Sequence, residues 1–287
     1  MVKTQPDPRK KEKEVPAAKS LVDQIRTNKV SFAVFVVLRA SVILVAIRCV
    51  FLGKWESFSL CVLTLLLFFI PPFVEKNLRI EVPTALEVLV YCFVYCAEIL
   101  GEIEGYYVKI PYWDTILHTV NGFMFAAIGF TLVDIFNRNK RFRFELSPMF
   151  LAVVAFCFSM TIGVLWEFFE FGMDTFTHTD MQKDTVITDL YSVSLDPAGG
   201  NETVAVRDID KTLVETSDGK FILLDGYLDT GLIDTMEDLA VNFIGAAVFC
   251  VIGYHYIKRR GKGAFAGQFI PQPMEYEEPG VETDRVP

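Results

Sequence analysis

Long apolar runs separated by short charged connections dominate this chain. Ser31 to Phe51, Phe58 to Val74, Thr84 to Leu100, Trp113 to Phe136, Pro148 to Gly172 and Leu232 to Ile257 are the six runs. At about 1.5 Å per helical residue they are long enough to cross roughly 30 Å of hydrocarbon, the second being the shortest. The pattern predicts an all-α polytopic membrane protein, a six-helix transmembrane bundle. Between the fifth and sixth spans, from Thr175 to Thr230, helical periodicity gives way to alternating runs: Glu202 to Arg207, Thr212 to Thr216, and Lys220 to Leu224 after the turn signal Asp218-Gly219. A small antiparallel sheet capping the external face is expected there. The expected organisation is therefore a basic tail over 1–29, spans one to five over 30–174, an acidic β-containing insertion over 175–230, the sixth span over 231–258 and a second tail over 259–287. Both tails are too polar to fold alone and are expected to be flexible. The first span lacks a small-residue cleavage site and reads as a retained helix.

Composition fits that pattern: 52% of residues are hydrophobic, 26 are Phe, and mean hydropathy is +0.36. The basic residues give orientation. They cluster in the N-terminal tail, at Lys76 and Arg79, at Arg138, Lys140, Arg141 and Arg143, and at Lys258, Arg259, Arg260 and Lys262. All four places fall on one side of a six-span chain, so both termini are expected in the cytoplasm, the membrane being that of a prokaryotic cell. These short stretches serve topology and anionic lipid, and with a net charge of -9 they give no reason to expect nucleic acid. The six cysteines lie in or beside apolar spans and read as packing residues.

Three spans carry charge where charge is expensive. Asp114 and His118 are four residues apart, followed by Asn121 and Gly122; Glu167, Glu170 and Asp174 are spaced three and four; Asp234, Asp238 and Asn242 are four apart, followed by Gly245. These spacings put each set on one helix face, and the small residues allow those faces to approach one another. His118, Glu167 and Asp238 all fall on the order of 7 to 10 Å inside the same end of the bundle, with Glu98 near that end of the third span. An Asp near the bilayer centre costs about 2.5 to 3.5 kcal/mol, less when shallower. Several such acids must therefore be solvated, protonated, paired or bound to a cation. Arg39 and Arg48 are the available basic partners.

The motifs Trp113-Asp114-x-x-Leu117-His118, Trp166-Glu167-Phe168-Phe169-Glu170 and Asp234-x-x-x-Asp238-x-x-x-Asn242-x-x-Gly245-Ala246 resemble the YjdF-like family of uncharacterised multi-span membrane proteins. More distantly they are similar to the VanZ-like proteins linked to glycopeptide antibiotic resistance, which lack so long an insertion. Neither resemblance implies an established reaction.

The residues themselves support an enzyme near the outer leaflet. His118, Glu167, Asp238 and Asp114 are its candidate catalytic groups, and His118, Glu167, Glu170 and Asp238 are candidate ligands of a divalent metal ion. Arg39, Arg48 and Asn242 are candidate contacts to the substrate, a membrane lipid or a lipid-linked envelope precursor. Two alternatives stay open: a proton- or cation-coupled transporter, and a non-catalytic membrane module whose acids form a structural polar network. Oligomeric state is not legible.

Overall fold

The computed structural model describes residues 29–78, 80–138, 146–259 and 265–273. The expected tails, apart from Lys29, Arg259 and residues 265–273, lie outside the described residues, as do Arg79, Lys140, Arg141, Arg143, Arg260 and Lys262. Among the described residues six helices are long and apolar enough to cross a membrane: Lys29–Phe51, Trp55–Asn77, Thr84–Ile103, Trp113–Asp134, Pro148–Thr177 and Leu232–Lys258. Their outer surfaces remain exposed although apolar; Leu165, Phe168, Phe169 and Phe171 on the fifth span are examples. Aqueous solvent would not tolerate so broad a patch, and lipid does.

The chain divides into two compact units, one reaching to Glu104 and taking in residues from Pro271, the other spanning Gly105–Ile270. In the first unit, α1 (Lys29–Phe51) packs against α2 (Trp55–Leu67) and α4 (Thr84–Val94) around Val42, Cys61, Phe68, Tyr91 and Ile99. The second span is broken: α2 stops at Phe68-Phe69 and α3 (Ile70–Leu78) restarts with Pro71 and Pro72 in its first turn, where a missing N–H costs nothing. The third continues from α4 into a π-helical stretch, Tyr95–Ile103. A two-residue ladder pairs β1 (Ile80–Glu81) with Gln272–Pro273.

In the second unit a short α5 (Tyr106–Lys109) precedes three long helices, α6 (Trp113–Arg138), α7 (Pro148–Thr177) and α8 (Leu232–Lys258), each packed on the other two. Ser147 caps α7, accepting from the Phe150 N–H at 3.2 Å, and Pro148 occupies its first position. Ala126, Ala127, Phe130, Leu151, Ala152, Ala155, Ala246 and Phe249 fill the interior of one half of this trio.

The segment between α7 and α8 departs from the single sheet expected. It holds three separate antiparallel ladders: β2 (Val186–Ile187) with β7 (Tyr227–Leu228), β3 (Leu190–Ser192) with β4 (Val204–Val206), and β5 (Lys211–Glu215) with β6 (Phe221–Asp225). The expected hairpin at Asp218-Gly219 forms. The run near Glu202 pairs elsewhere because the Asp196 carboxylate gathers the N–H groups of Ala198 (3.0 Å) and Gly200 (2.9 Å) into a tight turn, folding β4 back onto β3.

Candidate functional site

Two glycines set the spacing of α6 and α8. A Cβ on Gly122 would lie 2.0 Å from the Asn242 carbonyl oxygen, and one on Gly245 would lie 2.0 Å from the Thr119 carbonyl oxygen. Each helix thus rests its backbone on a glycine of the other. Gly163 of α7 leaves room for the Asn242 side chain, whose amide nitrogen would be 2.7 Å from a Cβ there. Asn242, fully buried, accepts from the Asn121 amide at 3.1 Å and directs its own amide at the Met160 sulfur, 3.5 Å away. Ser159 donates to the Gly122 carbonyl at 2.8 Å. This layer joins all three helices and forms the floor of the site; beyond it lies the apolar interior around Phe130 and Phe249.

One turn from that floor, the carboxylates face the imidazole. His118 Nε2 is 3.6 Å from Asp114 Oδ1 and 3.6 Å from Asp238 Oδ2, while Nδ1 is 3.9 Å from Glu167 Oε1. These separations exceed a hydrogen bond. Both carboxylate oxygens of Glu167 and Oδ2 of Asp238 are buried with no hydrogen-bond partner among the described residues. Glu167 and Asp238 are only 4% and 3% exposed, so water does not satisfy them freely. Glu170 is held differently: Trp166 Nε1 donates to its Oε1 at 2.8 Å, and that indole, 41% exposed, stacks beside Phe169 on the outer, apolar side of α7. Asp114 is the rim of the cluster, its side chain 32% exposed against 8% for His118.

Ligand atoms of Asp114, His118 and Asp238 lie within 4.8 Å of one another, and so do those of Glu167, Glu170 and Asp238. Two ligands about 2.1 Å from one tetrahedral ion stand about 3.4 Å apart, close to the spacings around His118. The donor set, one imidazole among carboxylates, suits a hard or borderline divalent cation.

Residues 179–185 strap the ends of α7 and α8 together. Asp174 accepts from the N–H groups of Met181 (2.6 Å) and Gln182 (2.8 Å) and from the Thr179 hydroxyl (2.9 Å). Asp234 accepts from the Lys183 N–H at 2.8 Å, and the Gln182 side chain donates to Thr235 at 2.5 Å. Both stripe ends noted in the sequence thus hold the strap rather than the imidazole. His178, in the left-handed region at φ 57°, ends α7 and turns the chain toward it.

Asp229 organises the entry to α8, a role the sequence reading missed although an Asp-Thr-Gly ahead of an apolar run is a helix-start signal. It accepts from the N–H groups of Thr185 (2.7 Å), Ile233 (2.7 Å) and Gly231 (3.3 Å). Burial pushes its carboxyl up, but these three N–H groups outweigh burial and hold it below its ordinary 3.8. The depressed folded value means this contribution is present above the unfolded value and lost as pH falls through the folded one. Asp229→Ala takes the acceptor away from these N–H groups and is expected to cost about 1–2 kcal/mol. In thermal unfolding in detergent from pH 7 to pH 3, the gap between variant and wild type should shrink only at the acid end.

Of the residues singled out in the sequence, His118, Asp114, Glu167, Glu170, Asp238 and Asn242 converge. Arg39, Arg48 and Glu98 belong to the other compact unit. Arg48 is paired with Glu104 at 2.6 Å, and the Arg39 guanidinium lies 4.1 Å from the ring centres of both Phe35 and Phe69. All six cysteines are free.

A model of the family described as "Predicted membrane protein (DUF2238)" matches residues 30–259. An uncharacterized protein of Thermotoga maritima is 31% identical over 106 residues, 37% of this chain and 53% of that protein. The chain therefore spans about half the length of the curated relative it matches. No solved structure matches.

Proposed function

The chain belongs to the DUF2238 family of predicted membrane proteins, and from that premise we propose that it is a membrane-embedded enzyme using a divalent cation on the head group of a lipid or lipid-linked envelope precursor. The observation that carries this reading is three buried carboxylate oxygens without a hydrogen-bond partner, both of Glu167 and Oδ2 of Asp238, on either side of His118. A structural polar network would have closed them into hydrogen bonds, because leaving a buried acceptor unsatisfied wastes stability. A cation supplies what they lack.

The position of the cluster supports a lipid substrate. The basic flanks favour cytoplasmic termini, an orientation that would bring the Asp114 rim near the outer leaflet. Trp166 links the lipid-facing side of α7 to Glu170 directly. The cation would polarise a head-group oxygen as a Lewis acid. His118 would help hold that cation through Nε2, the nitrogen that faces Asp114 and Asp238. The packed layer of Phe130 and Phe249 beyond the asparagine floor favours a blind site over a transport route.

Metal content tests the proposal. Wild-type protein purified without chelator and loaded with Mn²⁺ should retain bound metal after desalting. His118→Ala and Glu167→Ala should each retain at most about half of it while eluting as the same species in detergent. Unchanged metal in both variants would overturn the reading.

A further inference from the structure

The two groups of ligand atoms share one residue. Asp114, His118 and Asp238 form the first triad, Glu167, Glu170 and Asp238 the second, and Asp238 alone belongs to both. We propose that the site is a two-cation centre, with Asp238 as the bridging carboxylate between an imidazole-containing position and an all-carboxylate position. This rests on the cation-dependent reading above and goes beyond it in number, arrangement and assignment of ligands.

Charge is the first argument. Asp114 at the rim and the buried Glu167, Glu170 and Asp238 bring four negative charges together when ionised, and among the described residues no lysine or arginine stands within salt-bridge distance of any of them. One divalent cation leaves a net of two negative charges inside a low-dielectric protein surrounded by lipid, an arrangement that desolvation penalises heavily. Two divalent cations with neutral His118 balance the site completely. Unpartnered atoms supply the second argument, because they fall in both triads. Asp238 Oδ2 is orphaned at the junction, and both oxygens of Glu167 are orphaned in the all-carboxylate triad, each on a residue more than nine-tenths buried. A single ion in the imidazole triad would leave Glu167 as it stands, buried, charged and unsatisfied.

Outer contacts differ in the way two positions require. The Trp166 indole N–H fixes Glu170 from the lipid side, orienting a ligand of the second triad only. Asp114 and His118, four residues apart on α6, orient the first. The helices therefore divide the labour: α6 provides one position, α7 the other, and α8 brings the carboxylate between them. Paired cations in enzymes stand about 3.5–4 Å apart, a separation one carboxylate bridges.

The test is stoichiometry. Full-length protein in detergent is loaded with Mn²⁺, desalted and assayed for metal per chain, and low-temperature electron paramagnetic resonance of the same sample reports coupling between neighbouring ions. The expected result is two Mn²⁺ per chain with a coupled spectrum. Glu170→Gln and Asp114→Asn should each leave one uncoupled Mn²⁺, and Asp238→Asn should abolish the coupling. One Mn²⁺ per chain in the wild type, with an uncoupled spectrum, would overturn the pair while leaving a cation-dependent site intact. No retained Mn²⁺ in the wild type would overturn both. The wild-type count depends on no variant, so a variant that fails to fold does not obscure the answer.

Discussion

Gly245→Ala is expected to leave little folded protein and no metal binding in what remains. The new methyl would sit 2.0 Å from the Thr119 carbonyl oxygen, 2.9 Å from the Phe123 nitrogen and 3.0 Å from the Thr119 carbonyl carbon. All three obstacles are backbone, so no side-chain rotation relieves them. An ordinary carbon–oxygen contact begins at about 3.3 Å, so α6 and α8 would have to part by about 1.3 Å at this level. Overpacking in a core that can yield costs about 1–3 kcal/mol; a backbone-on-backbone contact belongs at or beyond the top of that range. Separation would stretch the 3.1 Å Asn121–Asn242 hydrogen bond and carry Asp238, two turns along α8, away from His118. Gly172→Ala is the control, since a Cβ there meets nothing within 4 Å. It should leave stability unchanged or raise it by up to about 1 kcal/mol through helix propensity. Equal thermal transitions for both variants in detergent would refute the interlocked geometry.

How much of this was legible beforehand depends on the kind of signal each residue carries. Span positions were readable because a run of apolar residues long enough to cross a bilayer has few other uses. The convergence of His118, Glu167 and Asp238 was readable because three- and four-residue spacing fixes a helix face, and the start and end of each span fix a depth. Asp174 and Asp234 defeated the same logic. At a helix end, a carboxylate on the right face can turn to the free N–H groups of the next segment, and spacing alone does not say which way it goes. The partner of β4 was not legible for a related reason: β4 has the alternating pattern of a strand, but the Asp196 turn folds it onto β3 through backbone N–H groups that leave no mark in hydrophobic periodicity. Trp166 carried a visible signal, four residues before Glu170, but a tryptophan near a membrane interface has an ordinary explanation that hid its second role.

Replacing Glu167 and Asp238 together by glutamine and asparagine is expected to make the metal-free protein more heat-stable, not less. In wild type stripped of cations, the orphaned oxygens are buried charges without compensation, or carboxyls forced to take protons, and such a group costs about 3–5 kcal/mol. An amide of nearly the same shape removes the charge and can donate as well as accept. For a chain of this size a kilocalorie corresponds to about 2–4 °C, so the stripped double variant should melt about 6–20 °C above stripped wild type. Adding Mn²⁺ should close or reverse the gap, because binding stabilises only the protein that still has its ligands. The variant should be indifferent to chelator. A structural network predicts the opposite on every count: the double substitution would break hydrogen bonds and lower the transition, and neither chelator nor Mn²⁺ would shift wild type. Stability sacrificed at buried carboxylates that the native fold leaves unpaired is the behaviour of a binding site, since a group kept ready for a ligand cannot also be satisfied by its neighbours.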